Sequence, residues 1–233
     1  MTYRYLFFIT FILILSACSS QKATPRNSAE QYFQEGEKFY ESNLYEDAIA
    51  SWEKVRDTYY SPALNMLAEL KIAEAYYRSE RYEEAATAYD DFLKQHPNDN
   101  RIADVLYRLG LSHYQQILSA DRDQTSTRNA LSVFKELLRR FPDYPQAEEA
   151  SYLVQRCQTR LAEHEVYVGH YYLKKEKYQA SIKRLESALK GYPDYYYRDE
   201  AYFYLGQAYL KNDQQKKSKE AFNQLFEQFP GSE

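Results

Sequence analysis

Apolar and polar positions divide this chain into three stretches. From Tyr5 to Leu15 nearly every residue is apolar, after a single basic residue, Arg4. That run is about half of the ~20 residues a membrane-spanning helix needs, and it suits the hydrophobic region of a secretory signal. From Gln21 to Ser28 the chain is polar, contains Pro25 and has no apolar period, so it reads as a flexible tether. From Ser28 to Glu233 apolar residues return at helical spacing, in a pattern that recurs five times.

Small residues anchor the pattern: Ala48, Ala85, Ala130, Ser181 and Ser218. Four positions on stand Trp52, Tyr89, Phe134, Leu185 and Phe222, and eleven on stand Tyr59, His96, Phe141, Tyr192 and Phe229. At the twelfth position come Tyr60, Pro97, Pro142, Pro193 and Pro230, so proline closes four of the five. A second helix lies upstream, centred on Gly36, Ala73, Gly110, Gly169 and Gly206. Small residues let paired helices approach, aromatics fill the space beside them, and proline ends the second helix. The pattern resembles the tetratricopeptide repeat. It implies an all-α fold, a right-handed α-solenoid of five tetratricopeptide repeats (about ten helices) in which each repeat contacts its neighbours.

Two departures from the period are informative. The third repeat has eight extra residues around Leu118 to Ser126, which include Asp121-Arg122-Asp123 and should form a charged loop on one edge. Between the third and fourth repeats the spacing grows by fourteen residues, close to four helical turns. Gln146 to Lys175 contains no proline, and its one glycine, Gly169, is a packing position. It should form a single long helix of about thirty residues joining the halves of the array. The expected organisation is therefore a leader over 1–17, Cys18 and a tether over 18–28, three repeats over 29–143, and the long helix with two repeats over 144–233.

Composition narrows the chemistry. A net charge of −4 lacks the strongly basic face that nucleic acid requires. Besides Cys18 the chain has only Cys157, so no internal disulfide is possible and packing must hold the fold. The 26 tyrosines are accounted for by the repeat. His164-Glu165 begins a zinc-protease pattern, but its second histidine would fall on Val168. His96 and His113 occupy positions that are aromatic in sister repeats, and Cys157 has no base at a recurring spacing. No phosphate loop or nucleophile elbow occurs. Nothing points to catalysis, a metal or a cofactor.

Leu15-Ser16-Ala17-Cys18 resembles a bacterial lipobox. The resemblance implies cleavage before Cys18, a thioether-linked diacylglycerol on its sulfur and an N-palmitoyl group, an anchor made effectively permanent by several acyl chains. In such lipoproteins Asp after the cysteine implies retention in the inner membrane. Ser19 stands there, which implies an outer-membrane address on the periplasmic face.

In a solenoid of helix pairs the first helices line the inner surface. Offsets −6, −3, +1 and +4 from each central small residue share one helical face. They select Phe33, Glu37 and Tyr40, then Leu70, Glu74 and Tyr77, then Tyr107, Leu111 and Tyr114, together with Glu30, Leu67 and Asp104. Part of this stripe is expected to pack against neighbouring repeats. The remainder should form a wet, tyrosine-rich trough for an extended apolar peptide. A lysine- and asparagine-based clamp on a carboxylate tail is not expected from Phe, Tyr and Glu.

With lipobox, five repeats, insertion and long helix at these places, the chain resembles the BamD (ComL) family of the outer-membrane β-barrel assembly machinery. Asp121-Arg122-Asp123, Arg160-Leu161-Ala162, Glu165, Tyr171, Tyr172, Arg184, Tyr192 and Pro193 carry the resemblance. It implies a non-enzymatic subunit that binds the POTRA domains of the barrel-forming subunit BamA and the C-terminal signals of unfolded outer-membrane proteins, beside accessory lipoproteins. By position, the first three repeats would hold substrate and the last two would dock the partner, with Arg184 at the contact. The competing reading is a pilotin-like lipoprotein serving a pilus or secretion-system secretin. A departure lies at Tyr59-Tyr60-Ser61-Pro62, where the family pattern has Tyr-Pro.

Overall fold

The computed structural model describes residues 28–58 and 61–231. The leader, Cys18, the tether up to Asn27, and Tyr59 and Tyr60 lie outside the described residues. Ten helices occur among the described residues: α1 (Ala29–Glu41), α2 (Tyr45–Thr58), α3 (Pro62–Arg78), α4 (Tyr82–Gln95), α5 (Ile102–Gln115), α6 (Thr125–Arg140), α7 (Ala147–Lys174), α8 (Tyr178–Gly191), α9 (Arg198–Lys211) and α10 (Gln215–Gln228). They form five pairs, and contacts run mainly between helices adjacent in sequence, with α1 also touching α3 and α7 touching α9.

The sequence signals map onto helix ends. Ser28 opens α1 as a capping box: its Oγ accepts from the Gln31 backbone N–H at 3.2 Å, while its own N–H donates to Gln31 Oε1 at 2.7 Å. In the last four repeats the residue eleven beyond the anchor is the C-cap of the second helix. His96, Phe141, Tyr192 and Phe229 have φ of −126°, −134°, −134° and −133° with ψ of 56° to 70°. Each precedes a proline, which excludes the helical conformation at that position and stops the helix there. The turns joining the pairs are equally regular. Asn43, Glu80, Glu176 and Asp213 all hold a left-handed φ of 58° to 62°. The third repeat has no such residue because the insertion replaces its turn.

Each pair closes on the contact between small and bulky positions. An ideal Cβ on Gly36 would stand 2.5 Å from the Trp52 ring, one on Gly110 2.5 Å from Phe134, and one on Gly206 2.7 Å from Phe222. Only a residue without a side chain lets these helices approach so closely. Trp52 and Phe134 are fully buried as a result.

The long helix is present and spans 28 residues. Its first half gives Ala150, Leu153 and Cys157 to the core of the third repeat. Its second half gives Ala162 and Val166 to the core shared by the fourth and fifth repeats. One rigid rod therefore belongs to two cores. The Cys157 thiol is fully buried and pushed up to about 11 by desolvation, which makes it a packing group and not a nucleophile.

The insertion is a loop, as expected, and it is pinned. Buried Gln124 donates through Nε2 to the carbonyls of Ser119 (2.9 Å) and Arg122 (3.1 Å), and its Oε1 accepts from Thr127 Oγ1 at 2.8 Å. His164 Nδ1, on α7, lies 2.7 Å from the Ala120 carbonyl oxygen and ties the loop to the long helix. Asp121, Arg122 and Asp123 remain exposed at the edge.

Candidate functional site

The nine stripe residues of the first three repeats come together on one face made by α1, α3 and α5. Phe33, Glu37, Tyr40, Leu70, Glu74, Tyr77, Leu111 and Tyr114 are half-buried. Tyr107 departs from the expectation of an accessible contact. It is only 8% exposed, its ring packing on Phe134 (centroids 6.3 Å apart) and Tyr144 (5.6 Å). Tyr144 belongs to the turn before α7, off the periodic stripe, and covers Tyr107 from the side. Tyr107 is therefore a structural wall of the groove more than a contact surface.

Sequential hydrogen bonds cross the repeats along this face. Tyr40 donates to Glu74 Oε1 at 3.4 Å, and Gln115 Nε2 donates to the Tyr77 hydroxyl at 3.5 Å. The ring of Tyr40 also meets Tyr45 edge-on at 5.5 Å, and Tyr77 meets Tyr82 in the same way at 5.3 Å. These contacts fix the tyrosines as a row with defined ring orientations, so a ligand would meet them preorganised.

A second regularity was not read from the sequence. At three of the four junctions between repeats, the residue after the central small position faces the residue two before the next one. Glu37 pairs with Lys71 at 3.0 Å, Glu74 approaches Arg108 at 3.8 Å, and His170 stacks on Tyr204 at 3.9 Å between centroids. Opposite charges 34 residues apart are the signal that would have revealed it. The groove thus carries alternating charge between its aromatic rungs and can meet a chain with both polar and apolar side chains.

Between α3, α4, α5 and the turn before α7 the face deepens into a cavity of about 460 Å³. It is lined by Leu70, Glu74, Tyr107 and Leu111 from the stripe, joined by Tyr89, Arg101, Asp104, Arg108 and Tyr144. Arg101 is held by Asp99, with Nε–Oδ1 2.8 Å and Nη2–Oδ2 2.9 Å, and the guanidinium holds the Asp99 carboxyl down to about 2. Asp104 accepts from the Tyr144 hydroxyl at 2.9 Å.

The last two repeats present Arg184 on α8. Its side chain is 43% exposed, but it does not stand alone: Nη1 donates to both carboxylate oxygens of Glu165 on α7, at 3.0 and 3.1 Å. The guanidinium reaches the surface with an intramolecular partner that spacing did not reveal. Elsewhere in the last two repeats, Tyr196 is 79% exposed and Phe226 68% exposed.

The four histidines serve packing and bridging. His96 Nε2 lies 2.9 Å from Glu69 Oε2, and burial lowers the pKa of His113 and of His170. Among the described residues no group of three or more His, Cys, Asp or Glu could hold a metal ion, and no helix is long and apolar enough to cross a membrane.

Comparison with known proteins adds a family. The profile of the YfiO family, described as an outer membrane lipoprotein, matches residues 25–225. The outer membrane protein assembly factor BamD of Vibrio cholerae is 28% identical over 83% of this chain and 85% of its own length. That of Rickettsia prowazekii is 27% identical over 94% of this chain and 88% of its own length. Among solved structures, the TPR2AB-domain:pHSP90 complex of yeast Sti1 aligns with a TM-score of 0.45 at 17% identity, covering 87% of this chain and 78% of that one.

Proposed function

The chain belongs to the YfiO family of outer membrane lipoproteins, and on that premise we propose that it is a non-enzymatic subunit of the outer-membrane β-barrel assembly machinery. In this reading it is anchored to the periplasmic face of the outer membrane by lipid on Cys18. Its first three repeats hold extended segments of unfolded outer-membrane proteins, and its last two dock a POTRA domain of the barrel-forming subunit. The observation that carries the reading is the row of hydrogen-bonded tyrosines along α1, α3 and α5, offered on a scaffold whose relatives are named assembly factors.

The groove is tested by titrating a C-terminal β-barrel peptide against wild type and a Tyr77→Ala, Tyr114→Ala double variant. Tyr107 is left intact because its removal would open the core. Each tyrosine should contribute about 1 kcal/mol, so affinity should fall by about tenfold or more while helicity is retained. Equal affinity with an intact fold would remove the row from the binding site.

The anchor is tested with Cys18→Ala. Without the thiol there is no thioether, and the protein should appear unprocessed or soluble with an unchanged circular dichroism spectrum. Normal outer-membrane fractionation of that variant would contradict the lipoprotein reading.

A further inference from the structure

The bulky position opposite each central small residue is occupied by Trp52, Tyr89, Phe134, Leu185 and Phe222. Three of these have no polar atom. Trp52 satisfies its own, donating the indole N–H to the Phe33 carbonyl at 3.2 Å within its repeat. Tyr89 is different. It is 2% exposed, and its hydroxyl has no hydrogen-bond partner among the described residues. Packing alone would be served by phenylalanine, as at Phe134 and Phe222, because a buried hydroxyl without a partner is destabilising.

Tyr89 lines the 460 Å³ cavity on the groove face. The other polar groups there are largely committed: Arg101 to Asp99 and Asp104 to Tyr144. Arg108 is not. Its side chain is 37% exposed, and its approach to Glu74, at 3.8 Å, exceeds hydrogen-bond length. A buried hydroxyl without a partner and a part-exposed guanidinium without a short acceptor therefore belong to the lining of one cavity, with Leu70 and Leu111 as its apolar walls.

We propose that Tyr89 and Arg108 form a polar subsite that takes one acceptor oxygen of a bound extended polypeptide, with an apolar side chain of the same segment seated between Leu70 and Leu111. This rests on the peptide-groove reading and adds the residues that fix the segment's register. Buried deep in the groove, the hydroxyl selects the position of the main chain, whereas the tyrosine row supplies contact area. The oxygen can be a main-chain carbonyl or a terminal carboxylate; both are acceptors in the same geometry.

The test uses the full chain and one synthetic peptide of alternating aromatic and polar residues, made as free acid and as C-terminal amide. Tyr89→Phe removes the hydroxyl and keeps the ring. Its thermal midpoint should equal or exceed that of wild type, and its affinity should be about fivefold weaker. Arg108→Gln should weaken binding and flatten its salt dependence. If the carboxylate is the acceptor, the amide should bind wild type more weakly and no longer distinguish Tyr89→Phe; if a carbonyl is, both peptide forms should lose equally. Wild-type affinity in Tyr89→Phe, with either a lowered or an unchanged midpoint, would overturn the subsite and leave the groove standing. No binding by wild type would remove both.

Discussion

Phe134→Ala is expected to lower stability by about 3–5 kcal/mol, the range for deleting a buried aromatic ring. Phe134 is fully buried, and the helix pair it joins is brought together by the absence of a side chain at Gly110. The ring also supports Tyr107, and through Tyr107 the turn that carries Tyr144. Truncation therefore removes the packing of α5 on α6 and the wall of the groove together. Urea denaturation with hydrogen exchange resolves the effect: protection should be lost first in α5, α6 and the first half of α7. Uniform loss across all ten helices, or a change below about 1 kcal/mol, would mean that the small-to-bulky contact does not organise the repeat.

The second large effect concerns the partner. Arg184→Glu should abolish docking of the barrel-forming subunit, since losing one member of a desolvated charge pair costs about 2–5 kcal/mol and reversal of its sign costs more. The ion pair with Glu165 supplies a sharper design than reversal alone. The double variant Arg184→Glu, Glu165→Arg restores attraction between α7 and α8 with the charges exchanged. If Arg184 serves only to hold these helices, the double variant should recover both stability and docking. If it meets a carboxylate on the partner, stability should recover and docking should not, and lysine at this position should rescue only in part because it lacks the planar fork. Full docking by the double variant in a pull-down would assign Arg184 to the fold.

The difference between these residues explains what could be read from the sequence. The small residue, the bulky residue four beyond the anchor and the closing proline each act within one repeat, so their spacing repeats and reveals both helices and the helix ends. The long helix was legible because proline is absent and a fourteen-residue addition keeps the helical face. Contacts between elements off the period were not legible. Tyr144 covers Tyr107 from a turn, so a stripe residue that looked accessible is buried. Glu165 meets Arg184 across two helices, and His164 reaches the insertion loop at Ala120, because the long helix passes both. Tyr89 belonged to the packing pattern by position. Only the geometry separates its ring, which packs, from its hydroxyl, which is buried without a partner beside the groove cavity.

In the proposed role this chain brings unfolded outer-membrane proteins to a barrel-forming partner. Affinity purification of the full-length protein from native membranes in mild detergent, with identification of what co-elutes, tests it most directly. The expected result is a POTRA-containing barrel protein in stoichiometric amount from wild type and its loss from Arg184→Glu. Recovery of a secretin in place of that protein would contradict the account and assign the chain to pilotin-like service of a secretion pore.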